Sequence, residues 1–275
     1  MPGKSVRVVV LVTLLAVVAL WGWGRTLTRR ARTEWLKPLA VAVFVCGDVG
    51  DEHVASLRAS LDAVGRRLTE ERDRYLPGRE GAAVEFALFG PIRPERQPPA
   101  EPPGAGWLDR LLHAVELSRA ERSVFAAART FDPALADVRI HVLATRRGGA
   151  APFSAEGIGA LEGEVGIVRA TFDAQDAFLA ATAAVHETLH TLGATDKYDA
   201  AGHAVAPDGM AEPERVPGYP QRFAEIMVGE VPTGPATGRL PTGPGELAIG
   251  PVTAAEIGWL ATGEASVPAR DPPRR

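Results

Sequence analysis

Apolar positions along the chain switch between short continuous runs and runs spaced by three and four, and the switches mark out the elements. "LAVAVFVCG" (residues 39–47) is a valine-rich run closed by a glycine and predicts a buried strand. Residues 52–75 set Val54, Leu57, Leu61, Val64 and Leu68 at helical spacing. "AAVEFALFG" (82–90) predicts a second strand. Residues 91–106, "PIRPERQPPAEPPGAG", are too rich in proline for a helix or a central strand and predict a surface loop. A helix over 107–130 follows, then strands over 138–145 ("VRIHVLAT") and 164–172 ("EVGIVRATF"), with a glycine-rich loop between them. Residues 174–192 form a further helix, with Asp173 as its expected N-cap and Gly193 as its stop. Its apolar stripe is Phe178, Ala181, Val185, Leu189 and Leu192. Strands alternating with helices predict an α/β (α+β) layer around a mixed sheet. Residues 231–250 predict irregular loop, and 253–260 a short last helix.

The two ends of the chain read differently. Residues 8–24, "VVVLVTLLAVVALWGWG", carry no charge and lie between Lys4/Arg7 and Arg25/Arg29/Arg30. Seventeen uncharged residues are at the lower limit for a membrane-spanning helix, and Trp21 and Trp23 suit an interfacial belt. A cleaved signal peptide is the rival reading, with "GWG" as the cleavage region. The chain thus divides into a membrane anchor with basic flanks (1–32), one catalytic-sized domain (33–262) and a disordered tail (263–275). A single-pass membrane location follows. The flanking charges taken alone favour a cytoplasmic domain. A formal net charge of −4 provides no cationic field to hold nucleic acid. Cys46 is the only cysteine, which excludes an internal disulfide and a cysteine-based metal site.

The chemistry concentrates in "AAVHETLHTLGATDKYD" (183–199). On a helix His186 and His190 stand about 40° and about 6 Å apart, so both imidazoles point to one place. Such a pair supplies two ligands of a zinc site, and Glu187 between them can act as general base on a water at the metal. Gly193 lets the chain turn sharply, bringing Asp196 back as a third ligand and leaving the fourth position open for water. Asp199, His203 and Glu225 are alternative third ligands. Two ordinary buried histidines on a helix that ends in glycine are the bland alternative.

"HETLHTLGATD" resembles the extended HExxHxxGxxD signature of the metzincin clan, in the variant where aspartate replaces the third histidine, as in snapalysin-like proteases. "GATDKYD" is also similar to the matching segment of immune inhibitor A-type peptidases. The block from "HETLHTLGATDKYD" through "YPQRFAEIM" to "ELAIGPVTAAEIGW" looks most like a little-characterised bacterial family of membrane-associated metallopeptidases. The resemblance implies a metzincin-like domain whose mixed, mostly parallel twisted sheet packs on the active-site helix. It also implies zinc on His186, His190 and Asp196, Glu187 as base, and Met227 as the methionine of the turn beneath the metal. The tyrosine that some metzincins place two residues after that methionine is Gly229 here, leaving Tyr198 or Tyr219 to steady the transition state.

In metzincins the strand before the helix is a sheet edge over the cleft, to which an extended peptide adds. Gly163, Glu164, Val165, Gly166, Ile167, Val168 and Arg169 occupy that place here. The expected activity is that of a monomeric, membrane-tethered zinc endopeptidase acting on polypeptides, and the family resemblance favours an extracytoplasmic domain. A non-catalytic metal- or peptide-binding protein on the same fold is the alternative, and the presence of Glu187 speaks for the enzyme.

Overall fold

The computed structural model describes residues 11–13, 15–16, 31–99, 106–129, 131–148, 153–159 and 163–260. Most of the expected anchor (8–24), the tail (263–275) and residues 100–105 of the proline-rich loop lie outside them. Among the described residues no helix is long and apolar enough to cross a membrane.

A five-stranded sheet is built from β1 (Leu39–Gly47), β2 (Val84–Ile92), β3 (Val138–Arg146), β4 (Ser154–Gly159) and β5 (Val165–Phe172), in the spatial order β2-β1-β3-β5-β4. The first four in that order run parallel, and β4 alone is antiparallel. Helix α1 (Asp51–Tyr75) joins β1 to β2, and α2 (Trp107–Ala128) joins β2 to β3. The chain steps outward from β1 to β2 and then back past β1 to β3. Because parallel crossovers are right-handed, that reversal sends α1 and α2 to opposite faces.

With both faces covered, β1 is a continuous apolar run. Val41, Val43 and Val45 pack in the main core with α1 and with α3 (Ala177–Leu192). Ala42, Phe44 and Cys46 pack on the other side with Val124 of α2, where burial pushes the Cys46 thiol up to about 12. The predicted stripe of α3 faces the main core: Ala181, Val185, Leu189 and Leu192 are buried, and Phe178 packs against them.

Three expectations need correction. Residues 163–169 are not the sheet edge, because Val165–Phe172 is paired on both sides, with β3 and with β4. The edge is β4, "SAEGIG", whose two glycines and lack of a β-branched run hide a strand inside what reads as loop. Asp173 is not the cap of α3. Its carboxylate accepts from the backbone N–H of Gln175 and Asp176, holding a separate turn, and the helix begins at Ala177. The loop-like segment 231–250 contains short pairings: β7 (Val231–Gly234) with β8 (Thr237–Arg239), and β9 (Leu247–Ala248) with β6 (Ala224–Glu225). The last helix, α4, spans Pro251–Glu256.

The start of the domain packs on this C-terminal region. Trp35 donates from Nε1 to the Ile257 carbonyl at 2.6 Å and meets Trp259 edge-on, ring centroids 5.2 Å apart.

Candidate metal centre

Helix α3 carries His186, Glu187 and His190 into the mouth of a cleft of about 480 Å³. One ring nitrogen from each histidine and one Glu187 oxygen lie within 4.8 Å of one another. The helix stops at Gly193, whose φ of 107° is open to glycine at little cost. That turn swings the Ala194 carbonyl to 2.7 Å from His190 Nδ1. The Ile226 carbonyl lies 3.0 Å from His186 Nδ1. A carbonyl can only accept, so both Nδ1 atoms are donors, and in each neutral ring the lone pair sits on Nε2, facing the cleft.

Past the turn Asp196 returns over the helix. Its Oδ1 stands 3.0 Å from His186 Nε2 and 3.2 Å from His190 Nε2. The returning loop is tied on both sides of Asp196. Thr195 donates from its N–H and hydroxyl to the Glu256 carboxylate, Lys197 Nζ reaches Glu256 at 2.7 Å, and the Lys197 N–H donates to the Met227 carbonyl. Two Nε2 lone pairs and a carboxylate oxygen facing one another repel unless protons or a cation lie among them. Ligand atoms about 2.0–2.2 Å from a tetrahedral ion stand roughly 3.3–3.6 Å apart, so each Nε2–Oδ1 pair needs to part by only a few tenths of an ångström. His186, His190 and Asp196 could therefore hold a divalent metal, with Glu187 beside it.

Electrostatics reinforces the arrangement. Burial opposes ionisation of Asp196, but without a metal the hydrogen bonds it accepts from His186 and His190, when their Nε2 atoms also carry protons, outweigh burial and hold the carboxyl well below the usual range, in the form that ligates. Burial likewise disfavours charge on His190, yet the hydrogen bonds to Asp196 and the Ala194 carbonyl, with Glu187 nearby, raise its pKa. Glu187 is 2% exposed, its Oε1 is 4.0 Å from His186 Nε2, and its Oε2 has no hydrogen-bond partner. Burial pushes its pKa up; the two histidines pull it partly back.

Gly157 of β4 makes room for that carboxylate. A Cβ there would lie 1.6 Å from Glu187 Oε1, so the edge strand passes directly over that carboxylate. Gly166 of β5 passes the stem of the same side chain less closely, its Cβ position 3.1 Å from that of Glu187.

No family model, curated protein or solved structure matches this chain. The His-Glu-His cluster therefore stands on its own geometry, which is compatible with an HExxH motif.

The remaining sequence candidates separate by position. Tyr198 lines the cleft, its ring 6.4 Å from that of His186, and burial together with Asp196 pushes its phenol up to about 12. Tyr219 does not line it. Asp199 spends its carboxylate on the N–H groups of Ala201 and His203, and His203 turns toward Glu230. Met227 is fully buried in the core, one residue past the carbonyl that holds His186. Glu225 is fully buried and accepts from the N–H of Met227 and of Gly250, so it braces this turn and does not face the histidines.

Sequence reading missed Gly157, the Thr195/Lys197/Glu256 tie and the Ile226 carbonyl. Only "AEIGW", with its glutamate in the last helix, offered a residue to notice, and nothing local says that Glu256 meets a loop 61 positions earlier.

Proposed function

We propose that the chain is a zinc-dependent, metzincin-like endopeptidase, tethered to a membrane by residues 8–24, with His186, His190 and Asp196 as zinc ligands. The reading is carried by one observation: two Nε2 atoms and the Asp196 Oδ1 meet at 3.0 and 3.2 Å, with an unpartnered buried carboxylate oxygen of Glu187 next to them. A mostly parallel sheet packed on the helix that bears the motif supports it further.

Zinc in such a set supplies a Lewis acid that polarises a carbonyl and makes water acidic near neutral pH. Glu187 takes a proton from the attacking water and returns it to the leaving amine, and its raised pKa suits a group that must do both. Tyr198 keeps its proton at neutral pH, and its hydroxyl, which bonds Asp196 in the resting site, is the one we assign to steady the developing oxyanion. A polypeptide lies extended along β4, adding main-chain hydrogen bonds to the free edge of the sheet. A site that only stored metal would have no use for a buried carboxylate with a free oxygen, which favours the enzyme over a binding protein.

The test is metal analysis of the purified protein paired with a peptide-library assay. Wild type is expected to carry one zinc and to cleave. Asp196→Ala is expected to lose zinc and activity together, with partial rescue by added zinc. Glu187→Gln is expected to keep zinc and lose turnover without rescue. Full zinc occupancy in both His186→Ala and His190→Ala would sink the assignment.

A further inference from the structure

Helix α2 is apolar on two sides. One side carries Ala120 and Val124 onto the sheet, beside Phe44 and Phe125. On the other, Trp107 (79% exposed), Leu108, Leu111, Leu112 and Val115 stand in solvent. At about 100° per residue these five form one stripe, nearly opposite the buried side. Elsewhere in the domain, among the described residues, exposed large apolar side chains such as Leu36, Leu135 and Leu240 stand singly, as is ordinary for a surface.

The position of the stripe says what meets it. Arg32, at the start of the domain, donates to the Gly163 carbonyl at 2.8 Å. Glu164 pairs with Arg139 at 3.5 Å, and Arg139 pairs with Glu121 of α2 at 2.8 Å. The chain therefore enters the domain one short relay of contacts from α2. From Glu121, Val115 and Leu111 are only roughly 9 and 15 Å further along the helix. Residues 25–30 are all that separate the apolar segment 8–24 from the start of the described domain, a span of at most about 20 Å when extended.

We propose that the stripe from Trp107 to Val115 is a second membrane contact: it lies in the bilayer interface and, together with the tether, fixes the orientation of the cleft. The inference rests on the membrane-tether reading. Tryptophan and leucine facing outward at the start of a helix are the side chains that partition into the headgroup boundary. Held close by the tether, the stripe meets lipid at high effective concentration, so five side chains suffice where a free helix would need more.

The full-length chain is reconstituted in vesicles of phosphatidylcholine and phosphatidylglycerol. Single cysteines at Leu111→Cys, Val115→Cys, Leu15→Cys and, on the exposed side of α1, Asp62→Cys carry an environment-sensitive label. Cys46 is buried and stays unlabelled. Both α2 sites are exposed, so their substitution leaves the core intact. Quenching by spin-labelled lipid is expected at Leu15, Leu111 and Val115, by roughly half at the α2 sites, since an interfacial helix sits about 5–10 Å into the boundary. None is expected at Asp62. Quenching at Leu15 with none on α2 overturns the contact and leaves the tether standing. Quenching on α2 without Leu15 removes the tether and with it the proposed two-point contact, leaving α2 as a lone membrane helix. No quenching at either removes both. A blue shift on α2 without quenching means that protein covers the stripe, this chain or a second copy, and overturns the proposal.

Discussion

Glu187 above the cleft floor and Glu225 in the turn beneath it are both nearly or wholly buried, and burial raises the pKa of each. Their surroundings differ. Glu225 accepts from the N–H groups of Met227 and Gly250, with Thr253 and Lys197 also favouring its charge. Glu187 keeps one oxygen without a partner, under a strand stripped to glycine where it crosses. A buried polar atom left unsatisfied costs about 1–3 kcal/mol, so a fold retains one only where something else requires it. The two carboxylates thus differ in kind: one makes the turn that aims His186 rigid, and the other, under the proposed function, would be held ready for a proton.

The sharpest way to break this contrast is Glu187→Gln. Turnover is expected to fall by about 10²–10⁴, while zinc content stays level. Stability of the metal-free protein should at the same time hold or rise, and the pH dependence fixes the sign. A carboxyl whose folded pKa is raised holds its proton more tightly in the folded state, so its cost is absent below the ordinary value near 4.5 and accumulates as pH rises through the folded one. Denaturation of metal-free wild type and variant should therefore coincide near pH 4 and diverge in favour of the variant by pH 8. Divergence in the other direction would remove the idea that Glu187 is kept at a cost.

Gly157→Ala sharpens the same point from the strand side. The added methyl falls on Glu187 Oε1, so the carboxylate or β4 must shift by ångströms, and turnover is expected to drop by up to about 10² with little change in zinc. Steady-state kinetics of this variant against Gly148→Ala, where a Cβ meets open space, checks it.

Glu225→Ala should show the opposite profile. It strips two backbone N–H groups of their acceptor in a closed interior and is expected to cost about 3 kcal/mol of stability, read from urea unfolding, with weaker zinc retention as the Ile226 carbonyl loosens. Glu225→Gln, which keeps an acceptor oxygen, should recover part of both. Equal stability of Glu225→Ala and wild type would show that the turn is held by packing alone.

The smallest effect belongs to an ordinary partly exposed pair. Arg239 holds the Glu246 carboxyl down to about 2, so its contribution is present above about 4.5 and fades as pH falls toward 2. Glu246→Gln is expected to cost about 1 kcal/mol or less at pH 7 and progressively less as pH falls toward and through 2, by thermal melts across that range.

Periodicity and local chemistry make much of this molecule legible in the sequence alone. Valine runs for β1, β3 and β5, the three-and-four spacing of Val54, Leu57 and Leu61, and the pair of histidines around a glutamate are all short-range patterns, and short-range patterns are what a linear chain displays. The stop at Gly193 is equally local, because only the backbone freedom of one residue is at stake. Tertiary structure alone decided three things. The first is which strand forms the edge: β4 has little intrinsic strand character and exists because β5 offers it a partner. The second is the tie of Thr195 and Lys197 to Glu256, joining positions some sixty residues apart through contacts that leave no period in the sequence. The third is the fate of the acidic residues near the motif. Asp196, Asp199 and Glu225 are equally capable ligands as letters, and what separates them is which hydrogen-bond donors the fold brings to each: two imidazoles, a turn, or a buried pair of backbone amides.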